Sequence, residues 1–365
     1  MRLAWVELRD FRNHIHTRID PLAEGLSVAV GPNGEGKTNL VEAMHVLCAL
    51  QRPRTASPGA MVREGADAAY VRGEFLTREG RVLVEVEIPR RGATRVQVNR
   101  ASVRRRRDLR RQVRAVLFGP FDLPIVIGDP AKRRAFMDEV VVALHPAKDT
   151  LTSTYDKVIR QRNRLLKEWD GRGIPVGLEA WDEQLIEAGA AVMGARASIA
   201  GAIAAPADAT FRHLAGYGLT VRYAPDVDLE GDLEAALRRR LMERRTDELQ
   251  RRTSLVGPHR DDLELTVRDL GARTAGSHGE TWAIALCLRL AQAAEVEREI
   301  GEPPVLLVDD PYSALDAARR DRIAEHLAAR GGQVVITVAD EPDVPAAAAA
   351  IWDVHDGAVA VRGAA

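Results

Sequence analysis

Residues Gly31-Pro32-Asn33-Gly34-Glu35-Gly36-Lys37-Thr38 have the pattern of a phosphate-binding loop. Glycines let the backbone wrap closely, so its N–H groups point inward at anionic oxygens. A lysine at this place reaches the β- and γ-phosphates of ATP, and the next hydroxyl ligates Mg²⁺. The expected ATP-binding set is Gly31, Pro32, Asn33, Gly34, Glu35, Gly36, Lys37, Thr38 and Asn39, with Lys37 also catalytic and Thr38 a metal ligand. A chance glycine-rich turn is the plainer alternative.

A second reactive stretch lies near the other end. Pro303-Pro304-Val305-Leu306-Leu307-Val308-Asp309-Asp310 is an apolar run ending in two carboxylates, a Walker-B pattern. Asp309 is expected to support the Mg²⁺ shell, and Asp310 to position or deprotonate an attacking water. A surface pair capping the next helix is the alternative. Ser313-Ala314-Leu315-Asp316 resembles a D-loop with Asp316 as its carboxylate, and Thr337 stands where many related ATPases carry a switch histidine. Thr337 is either a γ-phosphate sensor or a strand-end threonine without a role. Upstream, Ser277-His278-Gly279-Glu280 resembles the ABC signature Ser-x-Gly-Gln, with Glu280 replacing Gln. Ser277, Gly279 and Glu280 would then complete the nucleotide site of an opposite subunit. The same Ser-x-x-Glu spacing also writes a helix capping box.

These residues need elements to carry them. Leu26–Val30 is a short apolar run ending at Gly31, which suits a buried strand. Residues 38–50 predict a helix with Leu40, Ala43, Met44, Leu47 and Leu50 on one face. That strand–loop–helix order is what a phosphate loop requires. Residues 2–9 and 15–19 predict strands joined by a turn at Phe11-Arg12-Asn13-His14. Alternation over 82–88 and 94–98 predicts an antiparallel pair. Asp129-Pro130 reads as an N-cap followed by proline, opening a helix through 133–138. Helices over 150–169 and 178–204, broken at 171–175, predict an antiparallel hairpin. Each spans roughly 20–27 residues, about 30–40 Å, far shorter than the arms of chromosome-organising SMC proteins. Their apolar stripes read as core. After the D-loop come a helix over Ala317–Ala329, a Gly331-Gly332 stop and a strand over 333–338.

Bulk composition narrows the classes. The chain has 365 residues, 46% of them hydrophobic, enough for a sizeable core, and a net charge of −1, which does not by itself advertise a nucleic-acid partner. Lysine occurs only at Lys37, Lys132, Lys148, Lys157 and Lys167. Abundant Arg, Ala and Gly suggest a GC-rich genome, so only local arginine clustering carries weight. Cys48 and Cys287 lie in apolar helical stretches and read as packed free thiols, suited to a reducing cytoplasm. No signal-peptide pattern is evident. No run approaches the ~20 apolar residues that span a bilayer. A cytoplasmic, nucleoid-associated protein with no membrane partner is expected.

Longer strings carry a resemblance. They are Phe11-Arg12-Asn13; the loop from Gly31 to Asn39; Arg114-Ala115-Val116-Leu117-Phe118; Gly128-Asp129-Pro130 with Arg133-Arg134-Ala135-Phe136-Met137-Asp138; Tyr155 with Gln161-Arg162-Asn163-Arg164-Leu165-Leu166-Lys167; and Val256-Gly257-Pro258-His259-Arg260-Asp261-Asp262. On these the chain resembles the RecF family, short-armed relatives of SMC-type ATPases. It departs from the family pattern at Phe121, where Glu is usual, at Arg52-Pro53-Arg54-Thr55, where only Arg54 carries over, and at Pro311 and Glu280.

The resemblance implies an α/β fold. It would be an ABC-type ATPase head, a P-loop mixed sheet with an antiparallel subdomain, plus a helical lobe with a short antiparallel helical hairpin. The expected domains are 1–125 and 253–365 as two parts of the ATPase lobe, and 126–252 as the helical lobe. The implied activity is weak, DNA-stimulated ATP hydrolysis used as a switch. ATP would be sandwiched in an ATP-dependent homodimer on double-stranded DNA near gaps. RecR, with RecO, would help load RecA in recombinational repair, replication restart and the SOS response.

One cluster could meet DNA. Arg104, Arg105, Arg106, Arg107, Arg110 and Arg111 lie in a stretch whose only acidic residue is Asp108. Such density can track phosphates. With no aromatic interleaved, single-strand stacking is unsupported. A solvated helix face or a RecR contact is the alternative. Two other function classes compete: a transporter's nucleotide-binding subunit, and a non-hydrolysing DNA-binding scaffold. The long, hairpin-containing span between Lys37 and Ser277 disfavours the first. Intact Lys37, Thr38, Asp309 and Asp310 disfavour the second.

Overall fold

The computed structural model describes residues 1–49, 58–313 and 315–362. Leu50, Arg54 and Ala314, singled out above, lie outside them. The chain divides into two compact units: residues 1–123, 209–218 and 276–365 form the first, and 124–208 with 219–275 the second.

In chain order the first unit begins with β1 (Arg2–Phe11), β2 (His14–Ile19), β3 (Leu26–Val30), α1 (Lys37–Ala49), β4 (Ala68–Thr77), β5 (Gly80–Pro89), β6 (Arg95–Val98), β7 (Ala101–Ser102), α2 (Arg106–Arg110) and β8 (Ala115–Phe118). The second unit follows with α3 (Pro124–Ile127), α4 (Pro130–Leu144), α5 (Leu151–Glu168), most of α6 (Leu178–Ala215), β9 (Leu219–Ala224), α7 (Leu233–Arg251), β10 (Asp262–Val267), β11 (Leu270–Gly271) and α8 (Ala272–Ala275). The chain then returns to the first unit with α9 (His278–Ile300), β12 (Val305–Val308), α10 (Ala317–Ala329), β13 (Val334–Val338), β14 (Ala350–His355) and β15 (Ala358–Val361).

The first unit holds two six-stranded sheets. One, ordered β2-β1-β4-β5-β6-β7, is antiparallel. Its strands alternate as one-sided strands should: Val82, Val84, Val86 and Ile88 of β5 are buried. The other, ordered β15-β14-β3-β13-β12-β8, is parallel except for the β14–β15 hairpin. Strands β3, β12 and β13 are buried at every position, the mark of parallel strands covered on both faces. Both sheets contribute to one apolar core with α1, which buries Leu40, Ala43, Met44 and Leu47.

The second unit is helical with a three-stranded antiparallel sheet, β11-β10-β9. Helix α4 opens as its sequence suggests, with Asp129 as N-cap and Pro130 in the first turn. Helices α5 and α6 form the expected hairpin, packing Tyr155 and Val158 with Leu185, Ile186, Val192 and Met193. The string 257–262 sits among buried polar contacts. Arg196 grips both oxygens of Asp138 at 2.8 and 2.9 Å and the Pro258 carbonyl at 2.6 Å. Arg133 grips both oxygens of Asp262 at 2.6 and 2.8 Å. Arg162, fully buried, is matched by the carboxylates of Asp182 and Glu248. These bidentate pairs compensate charges withdrawn from water.

Helix α6 extends well past the expected end near 204, through Pro206 to Ala215. Proline removes one helical bond at a cost of about 3 kcal/mol. Ala207, Phe211 and Leu214 follow at helical spacing and are buried, and each large apolar side chain contributes about 1.5–3 kcal/mol. The helix is also long and apolar enough to cross a membrane by length and composition, which the sequence reading did not expect. Of an apolar 18-residue stretch within it 44% is buried inside the protein, and α5 and α7 pack against Leu185, Ile186, Val192 and Met193 of the same helix. Both cysteines are buried free thiols, and burial pushes their pKa values up.

His259 links this packing to pH. Its Nε2 lies 3.3 Å from the Ser254 carbonyl, and its Nδ1 2.6 Å from the Tyr155 hydroxyl. A carbonyl only accepts, so the ring hydrogen belongs on Nε2 and Tyr155 donates to Nδ1. Burial pulls the His259 pKa down to about 4. The unfolded chain therefore binds this proton first, so the contribution to stability is complete above pH ~6.5 and is lost as pH falls toward 4, by up to about 3 kcal/mol. Urea unfolding at pH 7 and pH 4.5 should show a smaller pH-dependent loss in His259→Gln than in the unaltered protein.

Candidate nucleotide site

The parallel sheet brings the two reactive stretches together. Strand β3 lies between β13 and β14 and ends at Gly31, where φ is +157° and a Cβ would come 2.2 Å from the Val354 carbonyl oxygen. Only glycine fits so close to β14. Gly36, at φ +115°, leads into α1, and its carbonyl accepts the Leu40 N–H at 2.9 Å. The loop thus delivers Lys37 and Thr38 in the first turn of a helix, where backbone N–H groups and the helix dipole favour anions.

Lys37 is buried, and its Nζ donates to the Gly31 and Pro32 carbonyls at 2.5 and 2.8 Å. Burial lowers its pKa, opposed by Asp309 and then Asp310. From the other side, β12 pairs with β8 and β13, and the Asp309 N–H extends the ladder to the Phe118 carbonyl at 2.8 Å. That register sets Asp309 against the loop. Thr38 Oγ1 lies 2.9 Å from each Asp309 carboxylate oxygen. Burial raises the Asp309 pKa, opposed by hydrogen bonds from Thr337 and Thr38 and by Lys37. Asp310 adopts φ +52°, a left-handed backbone rare outside glycine, Asn and Asp. Burial and then the Asp309 charge raise its pKa.

Thr337 ties the two aspartates together. Its Oγ1 donates to Asp309 at 2.8 Å and accepts the Asp310 N–H at 2.9 Å. The residue is 1% exposed. It therefore has a definite job in the β13 end, fixing the carboxylate and the unusual backbone beside it. Lys37, Thr38, Asp309, Asp310 and Thr337 line one cleft of about 210 Å³, with Asn33, Gly34, Gly36, Asn39 and Pro120 among its walls.

The residues fit a triphosphate with a hard cation. The cleft joins an anion-binding helix start to a hydroxyl and a carboxylate that converge within hydrogen-bond distance, an all-oxygen pair suited to Mg²⁺. Among the described residues no group of three or more His, Cys, Asp or Glu side chains is placed to hold a metal. A cation at Thr38 and Asp309 would draw on phosphate oxygens and water for most of its shell, as Mg²⁺ does.

The other candidates are placed as follows. Ser277 caps α9: its hydroxyl accepts the Glu280 N–H at 3.2 Å while Glu280 Oε2 accepts the Ser277 N–H at 2.8 Å. That is the capping box the spacing allowed. Tyr217 also bonds Glu280, Gly279 is buried, and Ser277 is exposed at the helix start. Asp316, exposed, caps α10 through the Arg319 N–H at 2.9 Å. Glu35 points away from the cleft, accepting from the Asp356 N–H at 2.5 Å and lying 3.0 Å from His355 Nδ1. Asp122, two residues after the cleft-lining Pro120, is buried and paired with Arg289 at 2.7 Å. In the arginine cluster, Arg104, Arg105, Arg106 and Arg111 are exposed. Arg107 is half-buried with Asp108 4.0 Å away, and Arg110 is half-buried on a helix anchored by Leu109.

A phosphate loop and a carboxylate-bearing strand end that meet in a mixed sheet define an ABC-type ATPase head of the SMC-like kind. Residues 2–356 match the RecF/RecN/SMC N terminal domain. The DNA replication and repair protein RecF of Streptomyces avermitilis is 40% identical, with 98% of this chain and 99% of that protein covered. RecF of Kineococcus radiotolerans is 37% identical, with 95% of each covered. The chain belongs to the RecF family. Among solved structures, the recombination mediator protein RecF-ATPrS of the RecFOR pathway superposes with a TM-score of 0.87 at 27% identity, over 99% of this chain and 98% of that one. The Smc head domain of Pyrococcus furiosus, bound to the C-terminal domain of ScpA, superposes at 0.57 with 18% identity over 99% and 95%, a likeness of fold.

Sequence reasoning left Thr337 undecided because its value lies in the β12–β13 register, which the run 333–338 does not print. The Asn13–His14 turn, read from sequence only as a connection between two strands, proves to bond the loop. Thr337→Val should lower ATP turnover by at least about tenfold, the scale of one hydrogen bond to a charged group, while ATP affinity stays within about threefold. Thr337→Ser, which restores the hydroxyl, should recover most of the rate in a steady-state phosphate-release assay.

Proposed function

We propose that this chain is an ATP-driven DNA-repair switch of the RecF type, acting in the cytoplasm beside the nucleoid with RecR and RecO to help load RecA at gaps. The observation that carries it is the junction of Thr38 with Asp309 inside a RecF-family head. The likeness to RecF-ATP, at a TM-score of 0.86 and 26% identity, supports ATP as the nucleotide.

Each residue has a derived task. Backbone N–H groups from Asn33 to Asn39 cradle the phosphates. Lys37 leaves the Gly31 and Pro32 carbonyls to meet the β- and γ-phosphates. Thr38 and Asp309 would hold Mg²⁺, which would supply neutralisation of the charge developing on the phosphate oxygens. Asp310, with its pKa raised by burial, is a better proton acceptor than an exposed carboxylate and orients the attacking water. Thr337 keeps both aspartates in place. Ser277, Gly279 and Glu280 serve the site of a second copy from the start of α9, where Ser277 is exposed, and Asp316 serves it from the D-loop that follows Asp310. Hydrolysis is slow and DNA-stimulated, so bound ATP clasps a homodimer on double-stranded DNA.

Three sets of measurements test this reading. Lys37→Ala should abolish ATP binding by calorimetry. Asp310→Asn should bind ATP within about threefold of the unaltered protein and turn over about 10²–10⁴-fold more slowly. ATP should raise both the dimer fraction in sedimentation and the affinity for gapped duplex DNA. If ATP alters neither, the switch reading is wrong.

Arg104, Arg105, Arg106, Arg107, Arg110 and Arg111 are the proposed phosphate contacts, Arg107 and Arg110 being half-buried. Each phosphate neutralised contributes about 0.9 to the slope of log affinity against log salt. Replacing Arg104, Arg105, Arg106 and Arg107 by Gln should flatten that slope for duplex binding. An unchanged slope would remove the cluster from the DNA surface.

A further inference from the structure

The outer side of the phosphate loop, away from the cleft, is held by side chains from the turn between β1 and β2. Asn13 Nδ2 donates to the Glu35 carbonyl at 3.0 Å, and Asn13 Oδ1 accepts from Asn39 Nδ2 at 2.8 Å. His14 is completely buried. Its Nε2 lies 3.1 Å from the Gly36 carbonyl and its Nδ1 2.9 Å from Thr17 Oγ1. The Thr17 hydroxyl also reaches the Gly357 carbonyl at 3.0 Å, in the turn joining β14 to β15. The Gly357 N–H in turn donates to the Glu35 carbonyl at 2.9 Å.

The approach is close enough to dictate sequence. A Cβ at Gly36 would sit 2.8 Å from both Asn13 side-chain polar atoms and 3.1 Å from His14 Nε2, at a φ of +115°. A Cβ at Gly357 would sit 2.2 Å from the Asn13 carbonyl oxygen. The Gly36 carbonyl can only accept, so the ring must present N–H there. Once that carbonyl is held on the outer side, the following peptide N–H groups are free to face the cleft.

We propose that His14 is a positioning residue for ATP binding, its Nε2–H fixing the Gly36 carbonyl so that the loop's N–H groups are set for the phosphates before nucleotide arrives. With Nε2 carrying the ring hydrogen, Nδ1 accepts, and the single Thr17 hydroxyl hydrogen is shared between Nδ1 and the Gly357 carbonyl, which orients the ring. This rests on the reading of the cleft as an ATP site.

The test is calorimetric titration of the full chain with Mg-ATP. His14→Leu fills similar space without the donor and should weaken binding about tenfold, the scale of one lost hydrogen bond. His14→Gln, whose amide N–H can serve the same carbonyl, should stay within about threefold. A purely packing role would leave Gln as weak as Leu, and that result overturns the proposal, as does unaltered affinity in both. Should His14→Leu not fold, Thr17→Val keeps the ring and frees its other side; about threefold weaker binding is expected, and no change overturns the assignment. If the unaltered protein binds no ATP, the reading of the cleft itself fails, a result distinct from wild-type binding with indifferent variants.

Discussion

The head depends on one buried carboxylate. Asp309 is 4% exposed, and an ionised group so removed from water needs compensation nearby. It receives two hydroxyls, Thr38 from the start of α1 and Thr337 from the end of β13, with the Lys37 charge close by. Those donors come from two places far apart in sequence, and the carboxylate itself from a third. They converge only if β12 runs beside β13, and β13 beside β3, in the observed parallel registers. The order of the central sheet and the satisfaction of Asp309 are therefore one constraint seen at two scales.

The same carboxylate shapes its neighbour. Asp310 carries a second acid into a half-buried place beside the first, and both have pKa values raised primarily by burial. Its backbone is held in a left-handed conformation by a bond to the threonine that also serves Asp309. Strain of this kind persists where the surroundings over-determine it. One hydroxyl thus governs where the Asp309 carboxylate points and where the Asp310 backbone begins.

Much of this was legible in the sequence because it is local. The run Leu26–Val30 followed by glycines, the apolar strand before Asp309, and the cap at Asp129-Pro130 each declare themselves within about ten residues. What was not legible depended on distant partners. Thr337 gained its meaning from register. Helix α7 was passed over because its arginines and glutamates mask a narrow stripe of Ala236, Leu237 and Leu241. Helix α6 outran its proline because Phe211 and Leu214 find burial that no local propensity records. The string 257–262 carried the family resemblance, yet nothing in its residue types announced that Asp261 and Asp262 would meet Arg196 and Arg133.

The clamp on the phosphate loop has a consequence for synthesis. Glu35 and Thr17 bond to Gly357, and Leu3 bonds to Gln333, spans of more than three hundred residues. Loop closures of that reach come late, because their entropic cost precedes their reward. On the ribosome, β14, which flanks the loop, and the turn at Gly357 that braces it emerge more than three hundred residues after the loop. Until then the loop has only the side of its brace that Asn13 and His14 supply. The clamp closes only when the β14–β15 hairpin pairs beside β3, long after the loop itself has been made.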